Sequence, residues 1–188
     1  MSFKELLLKD RSCRRFKEDQ NIERVVLEEL VDLGRISSSG ANLQPLKYML
    51  SCDVETNATI FPHLAWAGYL TDWPGPEAGE RPAAYIIMLG DTEISQNFGV
   101  DHGIAAQNIL LGATEKGLGG CMVGALDRRG LSETLQIPGC YEILMVLALG
   151  VPNEEPRLVE AVDSIKYTRD ESDVHIVPKR PLSEIILN

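Results

Sequence analysis

The residues best suited to chemistry in this chain are cations gathered against the grain of its overall charge. Lys9, Arg11, Arg14, Arg15 and Lys17 stand close together with a single acid among them, Asp10, in a protein of net charge −10. Arginine forks match the oxygens of a phosphate, and Ser12 adds a hydroxyl donor. An acidic chain that keeps such a cluster has the means to hold an anion; the plain alternative is a solvated charged face. A second pair, Lys179-Arg180, sits between Pro178 and Pro181, where a stiff extended segment presents two cations near the C-terminus.

Two further segments bring amides and bare backbone. Ser39-Gly40-Ala41-Asn42-Leu43-Gln44-Pro45 carries side-chain amides that both donate and accept, which suits a ring edge of mixed polarity; a capped turn uses the same residues. Gly117-Leu118-Gly119-Gly120-Cys121-Met122-Val123-Gly124 lacks the third glycine of a dinucleotide fingerprint, because Met122 stands there, and the chain has no P-loop. Its glycines still let backbone N–H groups approach a flat ligand, and Gly117 also reads as a helix C-cap.

These groups need elements to position them. The pattern predicts a short helix over residues 3–9 and an amphipathic helix over 22–36, closed by Ser37-Ser38-Ser39-Gly40. Residues 46–52 alternate as a strand, and 83–89 and 142–149 are apolar runs that read as buried strands. Between them, residues 62–82 form a Pro-, Gly- and aromatic-rich loop with a short helix expected around Trp66. Residues 97–116 predict a long helix that is apolar round most of its circumference, the mark of a core or interface helix. A short strand over 121–123 and a short helix over 131–136 follow, then a charged tail from 153 with too few core positions to be a domain. Helices and strands mix without a βαβ period, so the fold class is α+β.

Composition narrows the function. With 188 residues, 44% of them hydrophobic, the chain suits one domain. A mean hydropathy of −0.06 and the absence of a long apolar run or signal-peptide pattern argue against a membrane protein and for a soluble, cytoplasmic one. The acidic balance argues against nucleic acid. Four scattered cysteines and three distant histidines give no metal-ligand spacing, so no metal is expected.

In their order and spacing these motifs resemble the nitroreductase family. The resemblance rests on Arg11-Ser12-Cys13-Arg14 followed by Arg15-Phe16; on Ser39, Asn42, Gln44 and Pro45; on Gly117-Leu118-Gly119 after the long helix; and on Arg180-Pro181-Leu182. It implies a single domain over residues 1–188 with a central mixed, mostly antiparallel sheet flanked by helices, and a tail, 153–188, extending over a partner subunit. It also implies a homodimer with FMN at the interface and NAD(P)H as hydride donor. Arg11, Ser12, Lys179 and Arg180 would hold the phosphate, with Arg14 toward the pyrimidine side and Arg15 contributing. Ser39, Gly40, Asn42 and Gln44 would come from the other subunit, and the backbone of Val123, Gly124 and Ala125 would lie near flavin N5. The family often has arginine where Asp10 stands and tryptophan where Leu46 stands.

The activity so implied is ping-pong transfer of a hydride from NAD(P)H through FMN to a small acceptor such as a nitroaromatic or quinone. The flavin carries the chemistry, so no catalytic side chain is required. Trp66, Tyr69 and Trp73 would either wall the open cleft or anchor a loop. Alternatives are a specialised flavin reaction such as dehalogenation, a flavin-binding protein without turnover, and a thiol-based redox protein using Cys13 or Cys121.

Overall fold

The computed structural model describes residues 1–187. Four antiparallel strands make its centre: β1 (Leu46–Ser51), β2 (Ala84–Asp91), β3 (Gly119–Val123) and β4 (Tyr141–Gly150), in the order β1-β2-β4-β3. Every residue of β2 is buried. Alternation sends Ile86 and Met88 to one face and Tyr85, Ile87 and Leu89 to the other, so both faces must be covered.

Helices α2 (Arg24–Arg35) and α4 (Asp101–Glu115) cover the first face through Leu27, Leu30, Ala106, Ile109 and Ala113. They approach closely because Gly112 has no side chain: a Cβ there would lie 2.2 Å from Leu33 Cδ1. The second face is covered by α3 (Val54–Ile60), α5 (Arg128–Thr134) and the segment around Trp66. Helix α1 (Phe3–Lys9), held by a capping box between Ser2 and Glu5, ends at Asp10 and delivers the basic segment to the outer edge of β3.

Three sequence expectations change. The helix near Trp66 lies earlier, as α3. Asp53 caps it by accepting the Thr56 N–H at 2.7 Å, and burial of Ile60 overrides a run of weak helix formers. Trp66 itself lies outside any helix or strand and is buried, with its ring 5.7 Å from that of Phe61. The long helix starts at Asp101, not at residue 97, because Asn97 turns back to accept the Gly99 N–H at 2.9 Å. The tail is not featureless. β5 (Arg157–Glu160), β6 (Thr168–Arg169) and β7 (His175–Lys179) form a small sheet in the order β5-β7-β6. In the single chain this sheet lies against residues 14–15 and 69–73 of its own body. The short α6 (Leu182–Ile185) then leaves Leu182, Ile185, Ile186 and Leu187 exposed.

Candidate functional site

The basic segment splits into committed and available cations. Arg15 is committed: it pairs with Glu80 at 3.2 Å and with Asp173, and its guanidinium lies 5.8 Å from the Trp73 ring. Arg14 anchors through its backbone, whose N–H donates to Glu154 Oε1 at 2.6 Å. Among the described residues its guanidinium meets the Ser12 carbonyl, at 3.5 Å, and the Tyr167 ring, at 5.4 Å. Arg11 donates Nη2 to the Leu7 carbonyl at 2.7 Å, while its buried Nε has no partner among the described residues. Ser12 is exposed beside Gly120, to which it is bridged. Arg11 lines a cleft of about 280 Å³ with Lys9, Cys13, Thr114, Gly119 and Glu154.

Asp10, in the place of a second arginine, is 8% exposed and accepts the side-chain amide of Gln107. Burial pushes its pKa above the ordinary value, against the Gln107 bond, the Arg11 charge and the Thr114 hydroxyl.

The amide loop is held by the same helix on another face. Asn108 Nδ2 donates to Ser37 Oγ at 2.7 Å, and the buried Asp101 carboxylate accepts Ser39 Oγ at 2.6 Å and the Gly40 N–H at 3.0 Å. Ala41, Asn42 and Gln44 adopt left-handed backbone (φ 49°, 55° and 52°), which turns the Asn42 and Gln44 side chains outward to solvent. Asp101 and Asn108 are seven residues apart on α4 and nearly aligned; so are Gln107 and Thr114, which face Asp10. At 3.6 residues per turn, the two pairs point in directions about 120° apart. One chain therefore packs the basic segment and the amide loop against different faces of α4.

The remaining candidates lie apart. The Gly120 carbonyl accepts the Cys13 N–H at 3.0 Å, so alternation turns the backbone groups of Met122 to the same outer edge of β3. Val123 is buried at the strand end, and Gly124 and Ala125 are exposed beyond it. Their carbonyls accept Arg128 Nη2 at 3.1 Å and the Ala65 N–H at 2.9 Å. Lys179 pairs in register with Glu160, and Arg180 bonds Glu184 at 3.2 Å; neither lines the Arg11 cleft.

A family model described as the nitroreductase family aligns with residues 8–151 of this chain. The chain belongs to the nitroreductase family. It is 38% identical over 74 residues to the NADPH-flavin oxidoreductase of Vibrio harveyi, a stretch spanning 38% of this chain and only 31% of that relative. A nitroreductase family protein from Streptococcus pneumoniae TIGR4 shares the fold at a TM-score of 0.73 and 17% identity over 100% of both chains. An FMN-dependent nitroreductase from Clostridium difficile R20291 does so at 0.66 and 22% identity, over 90% of this chain and 92% of its own. At those identities the two structures establish the fold.

In this nitroreductase-family chain the aromatic residues of the loop anchor structure. Trp66 belongs to the core, Tyr69 packs 4.9 Å from Tyr167, and Trp73 lies under Arg15 and Arg169. The thiol reading fails on burial. Cys13 and Cys121 are 3% and 1% exposed, and desolvation pushes both thiols up to about 12, so neither supplies a thiolate near neutral pH. Among the described residues no cluster could hold a metal, and no helix is long and apolar enough to cross a membrane.

Sequence reading missed Asp101, Glu154 and His175. Asp101 carried a faint signal, an acid at the start of the long helix. Glu154 holds the N–H groups of Arg14 and Arg15 and pairs with Arg169 at 2.7 Å, with its side chain 6% exposed. These contacts join residues 139 and 140 positions apart, beyond any local pattern.

Proposed function

We propose that this chain is an FMN-dependent oxidoreductase that passes a hydride from NAD(P)H to a small acceptor such as a nitroaromatic or quinone, and that it works as a cytoplasmic homodimer. The observation that carries this reading is the division of the site: a cationic half and an amide half on faces of α4 about 120° apart. A second copy supplying its amide loop to the first copy's basic segment completes the site. Exposed Val100 and Ile104 on and beside α4, and the apolar end of the tail, give such a partner surface to cover.

The residues present fit the cofactor. The orphaned Nε of Arg11 asks for an acceptor, as a phosphate oxygen is. Among the described residues no carboxylate pairs with the Arg14 guanidinium. Asn42 and Gln44 present amides for a ring edge with both donors and acceptors. When bound, FMN supplies the hydride chemistry, taking two electrons from NAD(P)H and passing them to the acceptor.

Within that scheme Arg11 and Ser12 bind the phosphate, joined by Lys179 and Arg180 where the tail reaches them. Arg14 sets a fixed positive charge beside the pyrimidine edge, where reduction brings negative charge, and so favours electron uptake. Backbone groups at and just beyond the end of β3, around Val123 to Ala125, orient the ring. Arg15, through Asp173 and Glu80, holds the tail in place.

The test is purification and colour. A yellow protein that releases FMN by mass spectrometry, sediments as a dimer and oxidises NAD(P)H faster with a quinone or nitroaromatic supports the reading. A protein that binds FMN without turnover is a flavin store, and one that is colourless, monomeric and indifferent to added FMN overturns the proposal.

A further inference from the structure

The amide loop is strained, and something must hold it. Three non-glycine residues within four positions, Ala41, Asn42 and Gln44, sit in the left-handed region, a conformation that L-residues adopt at a cost. Such a backbone persists only where neighbouring bonds over-determine it.

The Leu43 N–H donates to the Gly40 carbonyl at 3.1 Å and the Gln44 side-chain amide to the Asn42 carbonyl at 3.2 Å, and the bonds that tie the loop to α4 converge on Ser39 and Gly40. Ser39 Oγ donates to Asp101 Oδ2 at 2.6 Å and accepts the Gln44 N–H at 2.9 Å. A hydroxyl has one proton, and here it goes to the only partner that cannot donate, an acceptor carboxylate. Asp101 Oδ1 meanwhile takes the Gly40 N–H at 3.0 Å. The carboxylate is 7% exposed, so its two oxygens are spent on this loop and not on solvent.

We infer that Asp101 is a positioning residue for the proposed flavin site, acting through Ser39, and that the Ser39 hydroxyl is a relay rather than a ligand donor. This rests on the FMN reading. Asp101 fixes Ser39, Ser39 fixes the Gln44 backbone, and the amides of Asn42 and Gln44 are thereby aimed before any ligand arrives. The consequence is a change of role for two residues placed in the site by motif: Ser39 and Gly40 turn toward Asp101, and the groups left to face a ligand are Asn42 and Gln44. A cavity of about 140 Å³ beside Ser39, Gln44, Tyr48 and Asp101 leaves room on that side.

The experiment compares wild type with Ser39→Ala, Asp101→Ala and Asp101→Asn, and with the Ser39→Ala/Asp101→Ala pair. In FMN-free protein, amide exchange at Gln44 is expected to speed up about five-fold in Ser39→Ala and Asp101→Ala, as for loss of a bond worth about 1 kcal/mol. FMN dissociation constants by equilibrium dialysis should rise about five- to ten-fold in each. The double variant should bind no worse than Asp101→Ala alone, because the two residues act in series. Asp101→Asn keeps an acceptor for Gly40 and should recover part of the affinity. The midpoint potential of bound flavin should become more negative in Ser39→Ala, as the amides lose their aim. Unchanged Gln44 exchange together with wild-type FMN affinity overturns the inference, as do effects that multiply in the double variant. Wild-type protein that binds no FMN overturns the functional reading instead. Should Asp101→Ala not fold, Ser39→Ala, which removes one hydroxyl, decides the matter alone.

Discussion

The side-chain amide of Gln107 donates to the carboxylate of Asp10, so the central helix grips the residue next to Arg11. That carboxylate is buried, and its pKa is raised above 3.8. A raised acid pKa means the folded state holds the proton longer than the unfolded state, so stability falls as pH climbs through that interval. The penalty is complete at neutral pH and absent in strong acid. Asp10→Asn keeps the Gln107 bond and cannot ionise. It should melt higher than wild type at about pH 7.5 and no higher near about pH 3, by calorimetry. It should also bind FMN about three- to ten-fold more tightly, because a charge opposed to the phosphate is gone.

Arg11 carries the opposite expectation. Arg11→Ala should weaken FMN binding by about 1.5–3 kcal/mol, roughly ten- to a hundred-fold, through loss of a charge-assisted pair. Equilibrium dialysis reads the effect. FMN affinity equal to wild type removes Arg11 from the phosphate site.

Arg15 should behave differently from its neighbour. Its charge is spent on Glu80 and Asp173, and Arg15→Ala should loosen the tail far more than it weakens FMN. Limited proteolysis between residues 157 and 179 should accelerate, with FMN affinity changed less than in Arg11→Ala. Intact tail protection in Arg15→Ala contradicts this division of labour.

Acid should loosen the same tail. His175 is buried, both ring nitrogens lack partners among the described residues, and its pKa is lowered by burial first and by Arg14 next. A lowered histidine pKa means that the unfolded chain binds the proton first, so stability is lost as pH falls from the ordinary value of 6.5 toward the folded one. Protection factors in β7, taken relative to the intrinsic exchange rate at each pH, should fall between about pH 7.5 and about pH 5, and the fall should be reduced in His175→Phe. A wild-type profile flat over that range refutes the assignment.

The cysteines give a simple check on burial. In native protein near neutral pH, Cys13 and Cys121 should resist a thiol reagent that labels the half-buried Cys52 and Cys140, and all four should react once the chain is unfolded. Rapid native labelling of Cys121 means that the edge of β3 opens.

What the sequence determined by itself was local or periodic. Alternation marked β1, and unbroken apolar runs marked β2 and β4 as strands buried on two faces, because side-chain direction repeats every second residue whatever the partner. The motifs around Arg11 and Asn42 gave the family, since residue type fixes which groups can donate to a phosphate or a ring edge. Helix α3 escaped because its residues favour helix weakly and its stability comes from an Asp53 cap and a buried Ile60.

Only the tertiary structure decided which candidates are free. Nothing in the type of Arg15 distinguishes it from Arg14; Glu80 and Asp173, distant in sequence, do. Nothing in Ser39 shows that its proton belongs to Asp101, 62 residues away. The geometry of α4, with Asp10 on one face and the amide loop on another, likewise appears only once the chain has folded. A side chain's chemistry is set by its atoms, but its availability is set by the neighbours that burial forces upon it.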